Sequence, residues 1–410
     1  MLYYKMGGGL MQLVAYGAQD IYLTGNPQIT FFKVVYRRHT NFSMECIEQT
    51  FSGTPQSGGN VTATISRNGD LVYRLYLETT LMDLSQNNAG NAMIDYAELE
   101  IGGQQIDKLY GHWMEVWARL TEPNPSRTIV TANASMVGAL ISAAAGDAQN
   151  GSFVRVAPTK YQQMAASGGV MGAVVASNVA VPFPFWFCRH PGLAIPLIAL
   201  QYHEVKLKIK FSSTMYGSAH GGTPSLWVDY IYLDTDERRR FAQVSHEYLI
   251  GQVQHFQATA ASTIDLNFNH PVKELIWSGV GAAAGATASA ATPTEITAGA
   301  SFILKLNGHD RFASRPLTYF TRKQVLDYHS GPGGIQAFAS NVGKIQDSIA
   351  VYSFALKPEE HQPSGTCNFS RIDNAQLTST GSLASDLNVY AVNYNVLRIM
   401  SGMGGLAYSN

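Results

Sequence analysis

The histidines and carboxylates decide first whether this chain does chemistry. "HEYLI" (His246–Ile250) opens like the HExxH helix of a zinc hydrolase, but Ile250 stands where the second ligand belongs. "YHEV" (Tyr202–Val205) fails in the same way, with Leu207 at the ligand position. None of the 11 histidines forms the HxH pair that a metal-binding cupin needs. No Lys-Ser or Lys-Thr follows "MGGGL" or "GNPQIT" at P-loop spacing, and no GxSxG nucleophile elbow occurs. Asp229, Asp234, Asp236 and Glu237 could be drawn around a cation, but charged strand ends and a solvated connection explain them more simply. The reading is therefore no catalytic residue, no metal ligand, no cofactor and no enzyme. Asn-x-Ser/Thr occurs at Asn41, Asn60, Asn133, Asn150 and Asn368; Asn133 and Asn150, in a surface-loop composition, are the possible glycosylation sites.

The elements that would have to position any site read as strands. "GDLVYRLYLETTLMDL" (Gly69–Leu84), "HEVKLKIKF" (His203–Phe211), "SLWVDYIYLDT" (Ser225–Thr235), "STIDLNFN" (Ser262–Asn269) and "SFILKLNG" (Ser301–Gly308) alternate apolar and polar residues. That period of two suits antiparallel sheets with one face buried. "YGHWMEVWARL" (Tyr110–Leu120) is the clearest helix, with Trp113, Val116, Trp117 and Leu120 on one face. Two hairpins echo each other half a chain apart, one turning at Gly102-Gly103 and one at Asn307-Gly308, both pairs that supply positive φ. With 410 residues, more than one core usually holds, the echo suggests a duplicated unit. Many short strands, long small-residue loops and no βαβ alternation point to sandwiches or jelly rolls.

Charged residues make up 14% of the chain, against roughly 25% in an average soluble domain, so much of the outside must be hidden against neighbours. Net charge is −1, which gives no general field for nucleic acid. Three cysteines, Cys46, Cys188 and Cys367, lie far apart and read as reduced thiols. Tyr161–Cys188 is uncharged and long enough to span a bilayer, but its glutamines, glycines and prolines make it a loop running into a buried strand. The one nucleic-acid candidate is "QITFFKVVYRR" (Gln28–Arg38), with Lys33, Arg37 and Arg38 among aromatics. Both of its faces are largely apolar, so a strand covered on both sides is the expectation, and direct nucleic-acid binding is not expected.

Strings spread over the whole chain resemble one family. They include "GGLMQLVAYGAQDIYLTGNPQITFFKVVYRRHTNF", "ELEIGGQQIDK", "PGLAIPLIALQYHEVKL", "WVDYIYLDTDERRRFAQ", "LNGHDRFASR" and "YSFALKPEEHQPSGTCNFSRIDNA". They resemble the major capsid proteins of nucleocytoplasmic large DNA viruses, especially those of algal viruses. The resemblance implies an all-β double jelly roll, two consecutive eight-stranded sandwiches with long inter-strand loops. It implies an N-terminal arm (1–25), a first jelly roll (26–236), a linker (237–245) and a second jelly roll (246–410). It further implies a homotrimeric, pseudo-hexagonal capsomer in an icosahedral virion shell, assembled in the host cytoplasm. Its partners would be itself, neighbouring capsomers, penton and minor capsid proteins, with an inner membrane close by. The matching strings begin near Met6, so translation is expected from Met6, and an intact mass that includes residues 1–5 would refute it. Thr131–Asn178 and Gly279–Thr294 match nothing in the family, so its sugar sites do not carry over to Asn133 and Asn150. A jelly-roll carbohydrate-binding protein or enzyme, and a DNA-packaging protein, are the alternatives.

Overall fold

The computed structural model describes residues 11, 13, 15 and 17–408, except 82–87, 124–129, 132–152, 155–158, 168–176, 214–215, 217–221, 281–290, 298, 338–344, 381–382 and 384–385. Residues 1–10, Asn133, Asn150 and most of the small-residue insertions lie outside the described residues. The chain divides into two compact units, Met1–Asn41 and Phe42–Asn410.

In the first unit, a single turn of helix at Ile21–Thr24 is followed by turn and irregular backbone. The strand expected at Gln28–Arg38 is not formed, and Phe31, Phe32, Val34 and Tyr36 are exposed. An isolated strand leaves its backbone donors and acceptors unpaired. Among the described residues of its unit, this one finds no second strand and nothing to cover its two apolar faces.

The second unit holds two sets of eight principal strands. The first set is β1 (Phe42–Gln49), β2 (Asn60–Thr64), β3 (Leu71–Leu81), β4 (Ile94–Ile101), β5 (Gln104–Tyr110), β6 (Ser177–Pro182), β7 (Val205–Phe211) and β8 (Ser225–Leu233). The other set is β9 (His246–Ala258), β10 (Thr263–Asp265), β11 (Pro271–Val280), β12 (Ser301–Leu306), β13 (His309–Asp310), β14 (Ile349–Ser353), β15 (Ala375–Ser379) and β16 (Asp386–Met400). Strands pair in the order β1-β8-β3-β6 and β2-β7-β4-β5, and again β9-β16-β11-β14 and β10-β15-β12-β13. All these pairings are antiparallel. The order is the same in both sets, and it is that of a jelly roll: a double jelly roll.

The alternation seen in the sequence decides which side chains point in. On β7, Val205, Leu207, Ile209 and Phe211 are buried, while Lys206 and Lys210 reach out to Glu204 at 3.0 Å and Asp95 at 2.9 Å. Both expected hairpins form: φ is +60° and +84° at Gly102-Gly103, and +50° and +79° at Asn307-Gly308, the left-handed pair of a type I′ turn. The helix expected at Tyr110–Leu120 is α1 (Gly111–Thr121), which follows β5 directly. The charged segment between the rolls is also a helix, α2 (Thr235–Gln243). Asp234 caps it, Arg238 pairs with Asp70 at 3.0 Å, and Phe241 packs on Leu71, Tyr73 and Ile231. Among the described residues no helix is long and apolar enough to cross a membrane.

The second roll has its own core around Trp277, Phe302 and Phe320, whose ring centroids lie 5.1–6.2 Å apart. The first roll's core does not stop at its own sheets. It continues into Ile250, Ile276, Val351, Tyr390 and Val392, on the back of the second roll's β9-β16-β11-β14 sheet. Trp277→Ala is expected to lower unfolding stability by roughly 3–5 kcal/mol, because it opens a cavity beside the Phe302 and Phe320 rings. Chemical denaturation of wild type and variant checks this.

Candidate functional site

The residues with unusual environments gather where the two rolls meet. β16 is buried on both faces: Leu387, Val389 and Ala391 face the second roll's own core, and Tyr390 and Val392 face the first roll. A strand covered twice need not alternate, and "VYAV" (Val389–Val392) is apolar on both faces. Across the sheet, the row His255, Tyr390, Ile276, Val351 is in register. The first roll presses α1 and the end of β5 onto it. The Trp113 ring lies 4.9 Å from Tyr390, His112 Nδ1 shares a 2.9 Å hydrogen bond with the Tyr390 hydroxyl, and Tyr110 lies 4.4 Å from His255. Burial lowers the His112 pKa to about 3, so the ring is neutral, and it raises that of Tyr390 well above the ordinary tyrosine range.

Polar groups stitch the seam. The Asp107 carboxylate accepts from Val253 N at 3.3 Å and Lys108 N at 3.0 Å; burial pushes its pKa up to about 7, against the lowering by those donors and Arg189. Gln252 donates to Ile106 O across the seam and accepts from Asn395 at 2.9 Å. Arg189 stacks over Trp117 at 4.1 Å and donates to Pro184 O at 3.0 Å. α1 is buried on every side from Gly111 to Leu120, so Glu115 and Arg119, which an amphipathic helix would leave in water, pair with each other at 2.6 Å.

The C-terminal end of α1 is completed by the second roll. Gly333 N donates to Arg119 O at 2.9 Å, Gly331 N to Leu120 O at 2.7 Å, and Ser330 Oγ to Thr121 O at 2.8 Å. These are carbonyls that a helix leaves without intrahelical partners. A Cβ on Gly331 would stand 2.4 Å from Arg119 O, so only glycine lets the loop approach. Beside this loop, His329 sits between Glu274 at 3.1 Å and Glu359 at 3.0 Å. Burial alone would lower the His329 pKa, but the two carboxylates outweigh it and raise the value to about 9. Neighbouring Lys273 donates to Pro358 O at 2.5 Å, and burial lowers its pKa to about 8.

The residues first considered for chemistry are elsewhere. His246 lies on strand β9, not on a helix, and its Nε2 bonds Phe241 O at 2.8 Å. His203 bonds Gly404 O at 2.9 Å. Asp229 is on β8, Asp234 caps α2, and Asp236 and Glu237 lie in that helix's first turn, where its dipole favours them. Among the described residues no group of three His, Cys, Asp or Glu side chains is placed to hold a metal ion. Cys46, Cys188 and Cys367 are free thiols. The sequence reading missed the seam residues Asp107, Arg189, Lys273, Glu274 and His329. The one available signal was "PVKELIWSGV", a β-prone run carrying Lys-Glu in its middle.

Family comparison agrees with this geometry along the whole chain. Residues 30–234 match a family model described as the major capsid protein N-terminus, and residues 237–405 match the large eukaryotic DNA virus major capsid protein. The chain belongs to the major capsid proteins of large eukaryotic DNA viruses. It is 51% identical to the major capsid protein of Pyramimonas orientalis virus, over 99% of this chain and 100% of that one. It is 40% identical to that of Paramecium bursaria Chlorella virus 1, again over 99% and 100%. The solved capsid of the latter virus superimposes with a TM-score of 0.69 at 35% identity, covering 93% of this chain and 100% of that one. The Faustovirus major capsid protein, 12% identical with a TM-score of 0.66 over 94% of each chain, shares the fold. In this capsid protein the seam is thus what fixes one jelly roll against the other.

The His329 cluster sets a pH dependence. A histidine whose folded pKa is raised contributes stability that is full below the unfolded value near 6.5 and lost as pH rises through about 9. Lys273, depressed to about 8, acts oppositely and regains stability between about 8 and its unfolded value near 10.4. The melting temperature is therefore expected to fall between pH 6.5 and 8 in wild type relative to His329→Gln, whose profile lacks this step. Thermal melts across that range check it; parallel profiles would refute it.

Proposed function

We propose that three copies of this capsid protein close into a capsomer of pseudo-hexagonal outline, and that capsomers tile an icosahedral shell. The observation that carries the reading is the duplication: two rolls of one topology, locked through a common core, give a trimer six similar lateral walls. On this reading the arm is 1–25, the first roll 26–236, the linker 237–245 and the second roll 246–410. The partners are the chain itself, neighbouring capsomers, penton and minor capsid proteins, with an inner membrane nearby, and assembly is in the host cytoplasm. The protein is structural rather than enzymatic, and with a net charge of −1 it has no general attraction for nucleic acid. Asn133 and Asn150 are the proposed sugar acceptors. Light scattering on purified protein is expected to give a trimer, and electron micrographs threefold particles. A monomer at high concentration with no larger species overturns the proposal.

A further inference from the structure

We propose that the capsomer interface joins the helical segment around Leu326 in the second roll of one copy to the outer face of the β1-β8-β3-β6 sheet in the first roll of the next. This rests on the trimeric reading above and specifies its contact.

The argument is that each roll has two equivalent lateral surfaces, and the intrachain seam covers one on each. The first roll contributes its helix, α1, which is buried throughout. The second contributes its sheet face, the row His255, Tyr390, Ile276, Val351. The remaining two surfaces are the counterparts. After β13, where α1 follows β5 in the first roll, the second roll has a π turn (Tyr319–Lys323) running into α3 (Gln324–Tyr328). Phe320, Thr321, Gln324 and Val325 are buried there, but Arg322, Lys323 and Leu326 are exposed, Leu326 at 83%. On the first roll, the row Glu48, Trp227, Tyr76, Pro182 runs in register across the four strands and is exposed or half-exposed. Met44 and Asp229 flank it on the same face. Repeating the seam's own contact from one chain to the next gives a head-to-tail interface, which closes a ring when the rotation allows it.

Apolar exposure supports this pairing. On the helical side Leu326 stands out beside Arg322, which is held by Asp347 at 3.0 Å, and Lys323, which is held by Asp327. The sheet side presents Glu48, Glu78 and Asp229 around apolar Met44 and Trp227.

Cys46, an exposed thiol between Met44 and Glu48 with Sγ 3.1 Å from the Tyr76 hydroxyl, reports directly on the sheet face. In full-length Leu326→Cys protein, a short bis-maleimide is expected to link chains into dimers and trimers on denaturing gels. The links should vanish when Cys46→Ser is added. Separately, Trp227→Glu and Leu326→Glu are each expected to weaken trimer formation at least tenfold while the monomer's thermal melt is preserved. A wild-type trimer that gives no Cys46-dependent links, or links Cys46 to a different protein, overturns the proposed contact, as does undiminished assembly of both glutamate variants. A wild-type monomer refutes the trimeric reading instead.

Discussion

The structure depends on one sheet being covered twice. Strands β9, β16, β11 and β14 carry one set of side chains into the second roll's core and the opposite set against α1 of the first. Apolar burial is worth about 25 cal/mol per Å², so a shared layer of this kind stabilises each roll only when the other is in place. The two jelly rolls are thereby one cooperative body. A capsid subunit gains from this because shell geometry demands a fixed angle between its two lateral walls, and a flexible joint would leave that angle undetermined.

The polar groups along the seam refine that angle without supplying the main attraction. Buried pairs such as Glu115–Arg119 contribute little net stability, since desolvation offsets most of their attraction. Their requirement for specific partners is what matters. Asp107 needs the amide of Val253, and Gln252 needs the carbonyl of Ile106, so a slip between the rolls would leave charged or polar atoms buried and unpaired.

How much of this was legible in the sequence follows from how far each signal reaches. Alternating strands such as β7 and β8 announce themselves, because one wet face and one dry face are written at period two. The hairpin at Gly102-Gly103 is equally local, since the turn geometry selects those residues. α1 was legible as a helix, but its complete burial was not: Glu115 and Arg119 look like solvent residues until distant parts of the chain, Asn91 among them, are packed around them. Gln28–Arg38 shows the converse. Its two apolar faces state that something must cover it, and β16 shows the same pattern, yet among the described residues only β16 has neighbours to pair with inside its own unit. The seam residues were illegible because their partners lie far away along the chain. Lys273 and His329 acquire meaning only beside Pro358, Glu274 and Glu359.

The cap on α1 also orders events in time. Its last carbonyls are met by Ser330–Gly333, and Ser330 is 209 positions downstream of Thr121. During vectorial synthesis the first roll therefore leaves the ribosome with a frayed helix and the wet underside of Trp113 waiting for strands not yet translated. The nascent half-protein is incomplete by construction, and the finished subunit, able to enter a shell, exists only once β16, the last of the sixteen principal strands, has been made.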